Sequence, residues 1–225
     1  MSATTLAPQL QNDSLGASIQ QQVVSIIDDL FAQLPNPERL TSDERRGIIA
    51  RYTAVLEGNF IYWMTATYLA TDSEDARPIL IENLMEEVRD SHPVMLHKFA
   101  VAAGAVPTDK DTNAVNDDLT KVRQFLGKLQ GVQSLLTMAF FESFIQRFMP
   151  YLGNLAAAQG STEMVYTDVH GVCDIAHSEG LFNATAIEMT RHPLGAESDL
   201  FEGVDLLRNL IHHSIIQDPA ARLAA

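Results

Sequence analysis

Residues 168–181 read DVHGVCDIAHSEGL, and the reading of the whole chain follows from them. His170, Asp174 and His177 are spaced H-x3-D-x2-H. At roughly 100° per residue on an α-helix they fall near 0°, 40° and 340°, one stripe of a single face. Neutral imidazole and carboxylate are ligands for a catalytic transition metal. Three such groups on one stripe are costly to bury unless something binds them. A solvated polar face would explain a lone His. Two His and an Asp on one stripe favour a metal.

Helical periodicity extends outward from this stretch in both directions. Residues 18–34, SIQQQVVSIIDDLFAQL, have it and stop at Pro35 and Pro37. Thr41 and Glu44 form a capping-box pattern that opens a helix to about residue 69. Thr71 with Glu74 makes a second such pattern, opening a helix to about residue 90. Ser91–Pro93 breaks that helix, and the next starts with Pro93 in its first turn and stops at Gly104. After a loop over residues 105–114, a long helical stretch covers about 115–158. Gly127 and Gly131 are candidate kinks in it and Pro150 a candidate bend. The last two helices cover about 161–190 and 197–216. No segment alternates as a strand does, and no 20–50-residue repeat occurs. The expectation is an all-α bundle of about seven helices. A polar lead-in at 1–15 precedes a single domain at 16–225.

Composition narrows the function classes. The net charge of −14 disfavours nucleic acid, which needs a basic footprint, and anionic membrane surfaces. Cys173 is the single cysteine, so no intramolecular disulfide can form, and a reducing cytoplasm is expected. The first residues carry neither a basic nor an apolar signal region, and no run of 18 apolar residues suggests a membrane span. There is no GxGxxG, no P-loop and no G-x-S-x-G elbow. Cys173 has no flanking base and reads as a core thiol.

Two more places carry ligand chemistry. Glu142 shares a helix face with Leu135, Met138, Ala139, Ile145 and Met149, where a carboxylate is costly unless it is paired or ligates a cation. Arg147 lies about 140° round the same helix and cannot pair with it. The segment IENLMEEVRDSHPVMLHKFA places Glu86 and Glu87 within two turns of His92, with Asp90 and His97 nearby. On a continuous helix His92 would align with Ile81, Met85 and Val88, and neither Glu would share that line. The break at Ser91–Pro93 must therefore rotate one of them inward, and spacing leaves both open. The full set is one Glu with His92, then Glu142, then His170, Asp174 and His177. Three carboxylates and three imidazoles are enough for two iron or manganese ions with open positions.

NLMEEVRDSHPVMLHKFAVAAG, FFESF and HGVCDIAH together resemble the haem-oxygenase-like non-haem diiron oxidases. That family includes a p-aminobenzoate-forming protein associated with death domains and alkene-forming fatty-acid decarboxylases. Its pattern is E…H, then E, then H-x3-D-x2-H, in that order. The resemblance covers roughly residues 40–215. It implies a seven-helix haem-oxygenase-like fold. It also implies two Fe(II) ions, or Mn, held by Glu86 or Glu87, His92, Glu142, His170, Asp174 and His177. The resemblance favours Glu86 beside His92, with Glu87 in solvent. It implies that dioxygen and a small organic acid, amino acid or amine are the reactants; a homodimer stays open. A non-catalytic metal-binding or interaction protein on the same scaffold is the alternative. True haem oxygenase fits less well, because the helix expected at 18–34 contains no His. Phe140, Phe141, Phe144, Phe148, Tyr166 and Phe182 would either line an apolar pocket or form plain core.

Overall fold

Nine α-helices make up most of the computed structural model, which describes the backbone of residues 6–216 and the side chains of residues 16–216. They are α1 Leu6–Ala32, α2 Ser42–Leu56, α3 Phe60–Ala70, α4 Arg77–Arg89 and α5 His92–Ala102. Then come α6 Asp109–Leu126, α7 Gly131–Ala158, α8 Val165–Arg191 and α9 Glu202–Ile211. A 3-10 turn at Pro37–Arg39 and a π-helical turn at His212–Ile216 complete the set. No strand occurs among the described residues, so the protein is an all-α bundle. No helix among them is long and apolar enough to cross a membrane.

The expected bundle of about seven helices is present, with nine among the described residues because two long ones break. The helix predicted over 41–69 divides after Leu56, where Gly58 takes φ +76°, a left-handed conformation that costs Gly little. The stretch predicted over 115–158 divides after Leu126, with Leu129 at φ +53°. Its first part also begins early, at Asp109, because Thr108 and Asp111 form a capping box. Residues 109–114 of the expected loop are therefore helical, and the connection between α5 and α6 is residues 103–108. The box at Thr41 and Glu44 forms. The one predicted at Thr71 and Glu74 does not. The Thr71 hydroxyl instead donates back to the Thr67 carbonyl, and α4 starts later, at Arg77. α1 begins at Leu6, so residues 6–15 of the expected lead-in are helical. Residues 1–5 of it lie outside the described residues.

α7 and α8 form the central pair. They run antiparallel: Gly131 approaches Glu188, the Gln146 amide donates to the Gly171 carbonyl, and Gly153 faces Thr167. α7 continues through Pro150 and is buried around most of its circumference. That explains its near-continuous apolar sequence: α3, α9, α2 and α1 pack on it as well as α8. α4 and α5 pack on α8, which puts the Ser91–Pro93 break against the helix carrying His170 and Asp174. Trp63, Phe99, Phe125, Phe140, Phe141, Phe144 and Phe148 are the largest fully buried rings. Where α9 crosses α6 and α7, a Cβ on Gly203 would collide with Thr137 Oγ1 and the Phe125 ring. Gly203→Ala should therefore destabilise the protein by roughly 1–3 kcal/mol through overpacking. A thermal melt checks this; an unchanged midpoint would show that the crossing can open freely.

Candidate metal centre

The junction between α4 and α5 decides which acidic side chain enters the core. Leu80, Asn83 and Glu87 form the buried stripe of α4, at helical spacing i, i+3, i+7. Ile81, Met85 and Val88 are exposed, the reverse of what their apolar character suggests. α4 ends at Arg89, and Ser91 takes φ 59° and ψ 41°. That left-handed residue costs roughly 1–2 kcal/mol outside glycine. It breaks the register, and α5 starts with His92 turned inward and 3 % exposed. Glu87, not Glu86, then meets His92: Glu87 Oε1 lies 2.7 Å from His92 Nδ1.

Glu87, His92 and His170 form the first group of ligand atoms, all within 4.8 Å of one another. His170 Nε2 is 3.9 Å from Glu87 Oε1, and the His92 and His170 rings meet edge-on at 4.5 Å. His170 Nδ1 is hydrogen-bonded to the Tyr166 carbonyl at 2.8 Å, one turn earlier on α8. That bond takes up the Nδ1 proton and leaves the Nε2 lone pair for the cavity.

A second group gathers around His177. Its Nδ1 is 3.7 Å from Asp174 Oδ1 and 3.9 Å from Glu142 Oε1. The Asn83 amide donates to Glu142 Oε1 at 3.0 Å, and the Cys173 thiol donates to Asp174 Oδ1 at 3.2 Å. Asp174 Oδ2 and His177 Nδ1 are buried and have no hydrogen-bond partner among the described residues. Glu86 is not beside His92; its Oε2 lies 2.8 Å from His177 Nε2.

The six side chains from both groups are buried, and Asp174 is fully so. A cavity of about 30 Å³ separates five of them, all but His177, from an apolar wall of Leu56, Phe60, Pro93, Leu96 and Ile145. No Lys or Arg is among its lining residues. Burial, with Glu142 close by, drives the Asp174 carboxyl well above the usual carboxylate range. Burial raises Glu142 too, against the opposing pull of His177. Burial lowers His170 to about 4, so its imidazole is neutral. At His92 burial pulls down, but the hydrogen bond and charge of Glu87 outweigh it and the net shift is upward. Three carboxyl groups with no Lys or Arg among them, and two orphaned ligand atoms, are a poor structural core. They fit a divalent cation, whose charge would take the place of the protons that burial favours on Asp174 and Glu142. These buried His and Glu groups could hold a metal ion.

The other candidates lie elsewhere. Asp90 pairs with Arg89 at the surface, and His97 is exposed, 3.9 Å from Glu57. Arg147 binds Asp28, in keeping with its position away from Glu142. Cys173 is half-buried rather than core; burial and Asp174 push its thiol up, so it stays protonated. Of the six aromatic residues near the motifs, Tyr166 lines the cavity. Phe140, Phe141, Phe144 and Phe148 are core, and Phe182 lines a separate hollow beside Ile19 and Met189. A third acidic cluster, Asp72, Glu188 and His192, is already satisfied at its buried member: Glu188 accepts from the Asp72 and Ser73 backbone amides. Asn83 and the Tyr166 carbonyl were not apparent from the motifs. The spacing of Leu80, Asn83 and Glu87 is the signal that marks Asn83.

No model of a known protein family matches the chain, and no curated protein is similar to it.

Proposed function

We propose that the protein is a dioxygen-activating non-haem diiron oxidase or oxygenase of the haem-oxygenase-like type. The observation that carries this reading is the meeting of three buried carboxyls and two imidazoles around one cavity with no Lys or Arg in its lining, with the third imidazole, His177, behind Asp174 and Glu142. Glu87, His92 and His170 would hold one iron, and Glu142, Asp174 and His177 the other. Two Fe(II) ions there would supply electrons to reduce dioxygen. The chain's own part is to hold the ligands, exclude water and position the substrate. Tyr166 fixes the His170 ring, and Asn83 fixes Glu142. Leu56, Phe60, Leu96 and Ile145 keep one side of the cavity dry, which strengthens electrostatic interactions inside it. Neutral His170 can bind a cation without first losing a proton.

The cavity favours a small first reactant. At about 30 Å³ it has room for about two waters. Dioxygen fits; an amino acid or fatty acid requires side chains to move. The same tightness also suits the second reading, a metal-binding protein without turnover. Anaerobic Fe(II) titration with Mössbauer spectroscopy, followed by oxygen uptake with a panel of fatty and amino acids, separates the two. About two irons per chain with oxygen uptake is expected. Two irons without uptake would favour the non-catalytic reading, and no tight iron would overturn both.

A further inference from the structure

Glu86 and Glu87 are neighbours in sequence but face different partners. The Glu86 side chain is 37 % exposed, and its Oε1 lies 3.7 Å from Arg89 Nη2. Its Oε2 lies 2.8 Å from His177 Nε2. The other ring nitrogen of that histidine, Nδ1, is buried, lacks a hydrogen-bond partner among the described residues, and faces Asp174 and Glu142.

A neutral imidazole carries one proton. With that proton on Nε2, donated to Glu86, the Nδ1 lone pair points at two carboxyl groups. All three atoms then lack a positive partner, and a cation placed among them supplies it. With the proton on Nδ1, the seat is blocked. Metal-bound histidines commonly donate their second N–H to a carboxylate or backbone carbonyl, which sets the tautomer. His170 uses the carbonyl form of this arrangement, through Tyr166, and presents Nε2. His177 has the carboxylate form and presents Nδ1.

We infer that Glu86 is a positioning residue for the second metal. It holds His177 in the Nε2–H tautomer, so that Nδ1 ligates beside Asp174 and Glu142. The inference rests on the two-metal reading above. It gives the adjacent glutamates of α4 separate work: Glu87 enters the first seat, and Glu86 stands behind the second. Adjacent residues lie roughly 100° apart on a helix, so one can face inward while the other reaches α8.

Two measurements on the full chain test it. Long-range proton–nitrogen NMR of the metal-free protein reads the His177 tautomer, and anaerobic calorimetry with Fe(II) reads each seat. The wild type should show Nε2–H. Glu86→Ala should shift the ring toward Nδ1–H and weaken the second Fe(II) by about 10–100-fold, leaving the first unchanged. Glu86→Gln, whose amide oxygen still accepts from Nε2–H, should keep most of the wild-type affinity. An Nδ1–H tautomer in the wild type, or an unchanged second affinity in Glu86→Ala, would overturn the inference. So would equal losses in Gln and Ala, which would make Glu86 a direct ligand. Failure of the two-metal reading looks different: the wild type itself would take up at most one ion, while the NMR result still decides whether Glu86 sets the tautomer.

Discussion

Glu142→Ala, His170→Ala and Asp174→Ala should each cut iron uptake from about two ions per chain to one or none, and abolish oxygen consumption. Each removes a ligand from a buried group that has no spare donor of the same kind. Folding should respond in the opposite direction. Asp174 is fully buried and one of its oxygens is unpaired, so the metal-free protein bears the cost of a carboxyl with half its partners. Asp174→Ala should therefore leave the metal-free protein as stable as the wild type or more so. Relief of an unsatisfied buried group is worth roughly 1–3 kcal/mol, set against the small cavity created. With Fe(II) present the order should reverse, because only the wild type gains binding energy. Thermal melts with and without Fe(II) measure both effects. Full iron loading in Glu142→Ala and in His170→Ala would sink the ligand assignment. A large loss of metal-free stability in Asp174→Ala would mean that the carboxyl is a structural group rather than a ligand.

The metal-free protein should lose stability as pH rises from 7 to 9, and Fe(II) should remove that loss. Burial holds the Asp174 carboxyl, and to a lesser extent that of Glu142, above the ordinary carboxylate range. In the unfolded chain these groups ionise in the ordinary range, so above it the folded state binds more protons. The stability they contribute is full at low pH and is lost as pH rises through their folded values. His170, lowered to about 4, works the other way, but only between about 4 and its ordinary value near 6.5. Above pH 7 it is silent; Asp174 carries most of the loss, and raised His92 and, toward pH 9, raised Cys173 add to it in the same direction. A bound cation replaces their protons, so its affinity grows with pH while the metal-free fold weakens. α8 should show this most. It places His170, Asp174 and His177 on its buried side, and it carries Gly171 and Gly180, each costing roughly 1 kcal/mol of helix stability relative to Ala. Hydrogen exchange over residues 166–182 should slow when Fe(II) binds. Asp174→Asn should flatten the metal-free pH slope. Equal, strong protection in both states would show a preformed seat and refute the ordering of α8 by the cation, while leaving the ligand assignment intact.

What could be read before folding was whatever depends on neighbours along the chain. The H-x3-D-x2-H stripe on α8 needs only helical geometry, and its three side chains are buried together as that geometry requires. Glu142 among apolar neighbours on α7 likewise announces a buried carboxyl. The all-α class follows from periodicity carried through nearly the whole chain. Helix ends were less legible, because caps compete. The Thr41 pattern captured its backbone amide, whereas the Thr71 hydroxyl turned back to a carbonyl in the preceding turn.

The choice between Glu86 and Glu87 belonged to the tertiary structure. Both follow the same helix, and apolar spacing pointed to Ile81, Met85 and Val88 as the inner line. Packing of α4 against α3 and α8 buried Leu80, Asn83 and Glu87 instead, and the left-handed turn at Ser91 delivered His92 to Glu87. Local spacing fixes the angle between side chains on one helix. Which angle faces the core is set by the neighbouring helices, through contacts distant in sequence, and so only the assembled bundle could decide it.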